Sequence, residues 1–103
     1  AAGRSLPYTG VVGKSVSADV AEHFSVPYGI YVKKVNTDSP AMYAGIQAAD
    51  VITEINGESV GSMSEYEDIL RKYQEGDTLK IKVRRKSIGG YADVEMKLVT
   101  GAR

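Results

Sequence analysis

The sequence contains no cysteine, a single histidine and no apolar run near the roughly 20 residues that cross a membrane. Without cysteine, a disulfide framework and a thiolate metal site are both excluded, while the redox compartment stays open. The histidine, His23, has no second ligand-type residue to support a metal site. We therefore expect no metal, no cofactor and no direct membrane contact. No signal peptide is visible, and the start at Ala1 without methionine leads us to expect an excised fragment.

An excess of charge of one sign is also lacking, since 13 basic and 13 acidic side chains cancel. No overall field favours nucleic acid, an anionic membrane or an acidic substrate. One basic run raises nucleic-acid binding as an alternative: Lys80, Lys82, Arg84, Arg85 and Lys86. Its first three members alternate with apolar residues on the predicted solvent side of a strand, opposite Asp93 and Glu95. Cross-strand charge pairing explains them, so no nucleic acid is expected as a partner.

The length of 103 residues and the apolar content of 43% suit one small domain with a modest core. We expect a polar linker or tail over residues 1–7, the folded domain over 8–100 and a short tail over 101–103. Neither a repeat nor a low-complexity segment is present.

Turn and capping residues divide the domain into short elements. Strands are predicted around residues 11–16, 29–35, 50–55, 79–84 and 93–98. Helices are predicted after the N-cap residues Ser17 and Ser39, and from Ser62 or Ser64 to about Tyr73. Asn56-Gly57 is the strongest hairpin signal. The sum is one α+β domain of five to six short strands, curled over a core, with two to three helices.

A specific order of motifs runs through the middle of the chain: Gly29–Val35, Ser39-Pro40-Ala41, Ala44-Gly45-Ile46, Asp50-Val51-Ile52 and Asn56-Gly57. This order resembles the PDZ domain, and the helix after the first strand is similar to the arrangement in HtrA/DegP-type serine proteases. The resemblance covers nearly everything from Tyr8 to Val99, and it implies a PDZ-like, partly open β-barrel or sandwich. Ala49 departs from the pattern, because the family usually has a glycine there that permits a left-handed backbone. We expect local strain at that turn.

The resemblance implies a peptide-binding site formed by a loop and an edge strand. PDZ domains bind peptides by strand addition. The family's carboxylate-binding loop matches Tyr8-Thr9-Gly10-Val11, with the amides of Thr9, Gly10 and Val11 as donors. The peptide-pairing strand runs from Val11 to Val16 and includes Val12, Gly13 and Lys14. The alternative is an ordinary strand entry with a glycine bulge. Thr9 replaces the usual aliphatic residue, so we expect a more polar or shallower pocket.

The opposite wall of the groove is expected to be the longest helix. Glu65 and Ile69 are one turn apart and match the family's groove-facing positions, while Tyr66 and Leu70 are interpreted as core residues. Two alternatives stay open: Glu65 could be a capping-box carboxylate that reaches back to Ser62, and Ile69 could merely widen the core stripe.

An enzyme is the main alternative to a binding module. Gly57-Glu58-Ser59-Val60-Gly61 matches the Gly-x-Ser-x-Gly nucleophile elbow. That motif requires a strand-to-helix turn and a later histidine, whereas His23 precedes Ser59 and the segment follows a hairpin signal. We therefore expect no catalytic residue in this chain.

The sequence-based function is capture of apolar C-terminal ends of polypeptides, as the substrate-recognition or regulatory domain of an HtrA-like serine endoprotease. Expected partners are C-terminal or extended peptide segments, the chain's own protease domain or neighbouring subunits. The alternative is an intramolecular or intersubunit docking module without substrate capture. By resemblance alone, the location is extracytoplasmic: periplasmic, cell-surface or secreted, with membrane anchoring through a missing N-terminal part as one option.

Overall fold

The computed structural model describes residues 7–24 and 28–101. Except for Pro7 and Gly101, the predicted linker over 1–7 and tail over 101–103 lie outside these residues, and those boundaries stay predictions. The elements in chain order are β1 (Val11–Val16), α1 (Ala18–Phe24), β2 (Gly29–Val35), α2 (Pro40–Ala44), β3 (Val51–Ile55), β4 (Glu58–Ser59), α3 (Met63–Leu70), β5 (Thr78–Ser87) and β6 (Gly90–Val99).

Local capping signals set the short helix α2. The Ser39 hydroxyl accepts a hydrogen bond from the Met42 N–H at 3.2 Å, and Pro40 occupies the first helical turn. Gly45 closes the helix in a left-handed conformation with φ +99°, where its N–H bonds to the carbonyls of the last turn. Each device satisfies backbone groups that a helix end leaves unpaired, so the predicted bounds are confirmed.

The longest helix is shorter than predicted. Ser62 is its N-cap, accepting the Glu65 N–H at 3.1 Å, and this settles the choice between Ser62 and Ser64. The helix ends at Leu70 rather than near Tyr73. The N–H groups of Lys72 and Tyr73 bond to carbonyls three residues back, so the last turn is tightened out of α-helical geometry.

All strand pairs in the described part are antiparallel, and they form one open, six-stranded sheet. The order is β1-β2-β3-β5-β6, with β4 paired to β3 through the Asn56-Gly57 turn. Both turn residues have positive φ, +50° and +83°, as the tight hairpin turn requires. The α+β, PDZ-like fold is confirmed, and because the sheet is not closed, β1 lies at one edge.

The core lies between the sheet and helices α2 and α3. Its largest fully buried side chains come from four of the strands and are Ile30, Ile52, Ile55, Leu79, Ile81 and Leu98. From α3, Tyr66, Ile69 and Leu70 pack into the same cluster. The period-2 and period-3.6 patterns of the sequence therefore converge on one core.

Two kinds of site are not found within residues 7–24 and 28–101. No helix there is long and apolar enough to cross a membrane. No group of three or more acidic, histidine or cysteine side chains is arranged to hold a metal ion.

The turn before β3 carries the strain that the sequence predicts. Ala49 has φ +77°, a left-handed conformation, and two hydrogen bonds hold it there: its N–H to the Val32 carbonyl at 2.7 Å and the Val32 N–H to the Asp50 carbonyl at 2.8 Å. A residue with a Cβ atom is disfavoured in the left-handed region by roughly 1–2 kcal/mol.

We expect Ala49→Gly to stabilise the fold by about 0.5 kcal/mol, because relief of that strain exceeds the added entropy of the unfolded chain. The matched control is Ala48→Gly, since Ala48 is exposed and lacks a positive φ. The control should lose about 0.5–1 kcal/mol. Urea denaturation of the three proteins measures both changes, and equal losses in the two variants would contradict the strain.

Candidate functional site

A cleft lies between the edge strand β1 and helix α3. Its volume is about 470 Å³. The strand side and the entry loop contribute Pro7, Tyr8, Thr9, Gly10, Val11, Val12 and Asn36, and the helix side contributes Met63, Tyr66, Glu67 and Leu70. The predicted edge strand, neighbouring helix and intervening cleft are therefore all present.

The loop before β1 is held from behind by its carbonyl groups. The carbonyls of Tyr8, Thr9 and Gly10 accept hydrogen bonds from the N–H groups of Gly101, Ala41 and Asn36, at 2.9, 2.8 and 2.9 Å respectively. In a trans peptide the next residue's N–H points opposite to the carbonyl. The amides of Thr9, Gly10 and Val11 are therefore directed away from these three anchors.

Two of these three amides have no acceptor within the part of the chain that the structure describes, namely those of Thr9 and Gly10. The third, Val11, makes a long 3.4 Å contact to the Thr9 hydroxyl. Gly10 has φ +85°, which allows successive N–H groups to face one side. A carboxylate can accept from such a set of donors, and none of the described residues that line the cleft has a basic side chain that would compete for that role.

The loop and the helix are joined by a buried hydroxyl pair. Thr9 Oγ1 and Tyr66 Oη are 2.7 Å apart, and both residues are buried. Burial raises the pKa of Tyr66 above its ordinary value and outweighs the opposing effect of the Thr9 hydrogen bond. Tyr66 therefore stays neutral near pH 7. The Thr9 hydroxyl is already used within the fold, and the expected effect on pocket depth stays a prediction.

The edge strand presents its unpaired side next to this cleft. Among the described strands, β1 pairs only with β2, and a register shift between Val12 and Gly13 marks a bulge. Val12 and Lys14 are exposed. At the far end of the strand, the Ser15 hydroxyl accepts the Met63 N–H at 2.7 Å. The open stretch of strand edge therefore runs from the loop to about Lys14.

The predicted groove residues of the helix are placed elsewhere by the structure. Ile69 is buried in the core cluster and does not line the cleft. Glu65 is exposed, and its carboxylate accepts the Gly61 N–H at 2.8 Å, so it acts close to the capping role that had been the alternative. On the helix side Met63 and Glu67, one turn apart, line the cleft, whereas Glu65 and Ile69 do not.

The sequence pattern did not predict Met63 and Glu67, because the predicted groove positions on α3 differ by two residues from those that line the cleft. Tyr66 and Leu70, interpreted as core residues, are indeed buried but also line the cleft floor. The Ser62 cap contains the missing signal, since counting from it places positions 63, 67 and 70 on one side of the helix.

The residues that suggested an enzyme or a nucleic-acid-binding protein lie in ordinary structural positions. Ser59 lies exposed on β4, immediately after the hairpin turn, while His23 lies in α1. The Arg84 side chain forms an ion pair with Asp93 at 3.6 Å, and Lys82 contacts Glu54 at 3.5 Å while pairing across the strands with Glu95. The expected cross-strand pairing is thus present for Arg84, and Lys82 finds its ion-pair partner on β3.

Comparison with known proteins agrees with this geometry. A family model described as PDZ domain matches residues 31–85. A probable periplasmic serine endoprotease, DegP-like, from Hahella chejuensis is 34% identical over 93 residues, which are 88% of this chain and 19% of the relative. The HtrA-type protease AlgW, solved with a decapeptide, has a TM-score of 0.78 at 25% identity over 99% of this chain and 31% of that one.

A third similar protein is an isolated domain. The HtrA3 PDZ domain, solved with the phage-derived ligand FGRWV, has a TM-score of 0.74 and covers 91% of this chain and 84% of that one. At 24% identity this likeness concerns the fold alone. The chain itself spans less than a quarter of the length of the first five curated relatives it matches.

Proposed function

Because this chain belongs to the PDZ domain family, we propose that it captures the C-terminal ends of polypeptides whose last residue is apolar. One observation carries the proposal: the edge of β1 that pairs with no described strand borders a cleft that begins at the Thr9, Gly10 and Val11 amides. The peptide adds a strand to β1, which supplies main-chain hydrogen bonds. Its terminal carboxylate accepts from the loop amides.

The direction of the bound peptide follows from the loop. Since β1 leaves the loop and the peptide ends there, the two strands run antiparallel. The last side chain enters the cleft beside Val11, Tyr66 and Leu70, which accounts for an apolar preference. The Ser15–Met63 hydrogen bond limits the paired stretch to about four peptide residues, spaced ~3.4 Å apart.

We infer that the parent protein is an HtrA-like serine endoprotease that acts outside the cytoplasm in protein quality control. The similar proteases named above support this, and one of them is named as periplasmic. Periplasmic, cell-surface, secreted and membrane-anchored forms all fit. In that setting the domain would deliver substrates to the protease domain or regulate it, and the catalytic residues would belong to the rest of the parent.

A docking module without substrate capture is the second candidate. A shallow apolar depression of about 450 Å³ near α2 and β6 supports it, with Tyr43 74% and Val99 55% exposed. The chain's own protease domain or a neighbouring subunit would cover such a surface. The same peptide groove could also serve this role.

We expect peptides with a C-terminal carboxylate to bind at least about tenfold more tightly than their C-terminal amides. Amidation removes the charge and turns a donor toward donors, and ~1.4 kcal/mol corresponds to one decade in affinity. Absolute affinity should be about micromolar, because so short a ligand buries little surface and must be ordered. Fluorescence polarisation with carboxylate and amide pairs ending in valine measures the ratio.

A peptide N-methylated at its strand-pairing amides is the control for strand addition, and it should bind more weakly than its parent. Equal affinity for the carboxylate and the amide would contradict capture of chain ends, and would favour the docking module.

A further inference from the structure

The cleft carries an acidic charge that end-capture does not use. Among its lining residues in the described part of the chain, Glu67 alone bears a formal charge at neutral pH. It is a half-buried residue of α3, one turn after Met63 and three residues before Leu70. Its side chain is 46% exposed, so water and a ligand both have access to the carboxylate.

This charge is only weakly compensated by the protein. Arg71 is the basic residue nearest to Glu67 in the described chain, at 3.9 Å. The same guanidinium lies 2.6 Å from Asp68 and bonds to it. The two side chains of the longer contact are 58% and 46% exposed, and such a pair contributes little to stability. A cation that enters the cleft could therefore pair with Glu67, and the loss of the Arg71 contact would cost the fold little stability.

Two contacts set the direction of α3 relative to β1 and the loop before it. Tyr66 meets Thr9 at the loop end, and Met63 meets Ser15 at the far end, so α3 runs antiparallel to β1. A peptide antiparallel to β1 then runs alongside α3 in the same direction. Side chains of a strand alternate in direction, so the last residue and the residue two before it both face the helix.

Those two peptide side chains are separated by about 6.8 Å, two residues of a strand. Along the helix, Glu67 precedes Leu70 by a rise of about 4.5 Å and follows Met63 by about 6 Å. With Leu70 beside the last peptide residue, Glu67 lies between the two helix-facing positions. A lysine or arginine side chain at the earlier position is long enough to reach its carboxylate.

We propose that Glu67 makes this groove select peptides with a basic side chain two residues before the C-terminal residue. The inference rests on the proposed capture of chain ends. It concerns specificity: the loop amides hold the terminal carboxylate of every ligand, while Glu67 ranks ligands by the charge that faces α3. An acidic side chain at the same position is repelled.

The test uses three fluorescent pentapeptides that differ at one position and end in Lys-Ala-Val, Gln-Ala-Val and Glu-Ala-Val. At about 50 mM salt the lysine peptide should bind roughly three- to tenfold more tightly than the glutamate peptide, a range typical of one solvent-exposed charge contact. The ratio should shrink as salt increases. Glu67→Gln should bring the three affinities within about twofold, and Glu67→Lys should reverse their order.

Glu65→Gln is the matched control, because Glu65 is an acid on the same helix whose carboxylate faces Gly61 rather than the cleft. It should keep the wild-type ranking, and circular dichroism should show that all variants are folded. If the lysine preference survives Glu67→Gln, or is lost in Glu65→Gln, the inference is wrong.

The failures of the two proposals are distinguishable. Carboxylate-dependent binding without any ranking by charge overturns the role of Glu67 alone. If none of the peptides binds, or if amides bind as well as acids, the proposed function and the inference are both overturned.

Discussion

Asp50→Asn should lower the free energy of unfolding by about 2–4 kcal/mol, because it removes the negative charge of a buried ion pair and leaves the positive charge of Arg85 without its partner. Asp50 is 1% exposed and receives three hydrogen bonds: Arg85 Nε at 2.9 Å, Arg85 Nη2 at 2.8 Å and the Gln47 N–H at 2.9 Å. Arg85 also donates to the Gly45 carbonyl at 2.9 Å, so one pair ties β5 to the α2–β3 turn. The carboxylate raises the pKa of Arg85 above its ordinary value.

Asparagine keeps the shape of the side chain but offers a single acceptor oxygen, so its NH₂ group must face Arg85 or the Gln47 N–H. The Arg85 side chain is 30% exposed and can partly recover hydration, which places the cost below that of a fully buried pair. A loss of this size is a large share of the roughly 5–15 kcal/mol that a small domain has. It should lower the Tm by more than about 8 °C.

The matched control is Asp68→Asn, which weakens an even shorter contact to Arg71, 2.6 Å, on the surface, where the Asp68 side chain is 67% exposed. It should change stability by less than about 0.5 kcal/mol. Thermal and urea denaturation of both variants provide the comparison. Similar losses in the two variants would mean that burial does not decide the strength of the Asp50–Arg85 pair.

Arg85 illustrates which part of this ion pair can be predicted from the sequence. Leu79, Ile81 and Val83 alternate inward along β5, and parity places Arg85 on the same side. A charge on the core side of a strand must be paired, since burying it alone is costly. The sequence therefore indicates that Arg85 has a partner. It does not identify Asp50, which lies 35 residues earlier and is brought near only by the register of β3 on β5.

The other correct predictions come from two sources, local sequence signals and the family resemblance. The caps Ser39 and Gly45 act within one helical turn, so the bounds of α2 could be read to the residue. The edge position of β1 has no local signal, because any strand with a glycine could pair on both sides, and the resemblance supplied it. Which side of α3 faces the groove depends on the helix register, and the predicted positions Glu65 and Ile69 differ by two residues from Met63 and Glu67, which line the cleft.

Gly10→Ala should be among the most damaging single changes at the proposed site. At φ +85° an alanine is strained, and its Cβ would overlap the Cβ and Oγ atoms of Ser39, which is fully buried and caps α2. Strain and overlap together should cost about 2–5 kcal/mol. Any variant that stays folded must shift the loop, so its amides lose their alignment and carboxylate-dependent peptide binding should decrease at least about tenfold.

Two further variants separate the causes. Gly89→Ala places the same side chain at φ +87° with nothing within 4 Å, so it should show the conformational cost alone, about 1 kcal/mol. Ser39→Gly removes both overlapping atoms at a capping cost of roughly 0.5 kcal/mol. The double variant Gly10→Ala/Ser39→Gly should therefore be more stable than Gly10→Ala and regain part of its peptide affinity. If Gly10→Ala costs no more than Gly89→Ala and binds valine-ended peptides normally, close packing of the loop against Ser39 does not shape the carboxylate site.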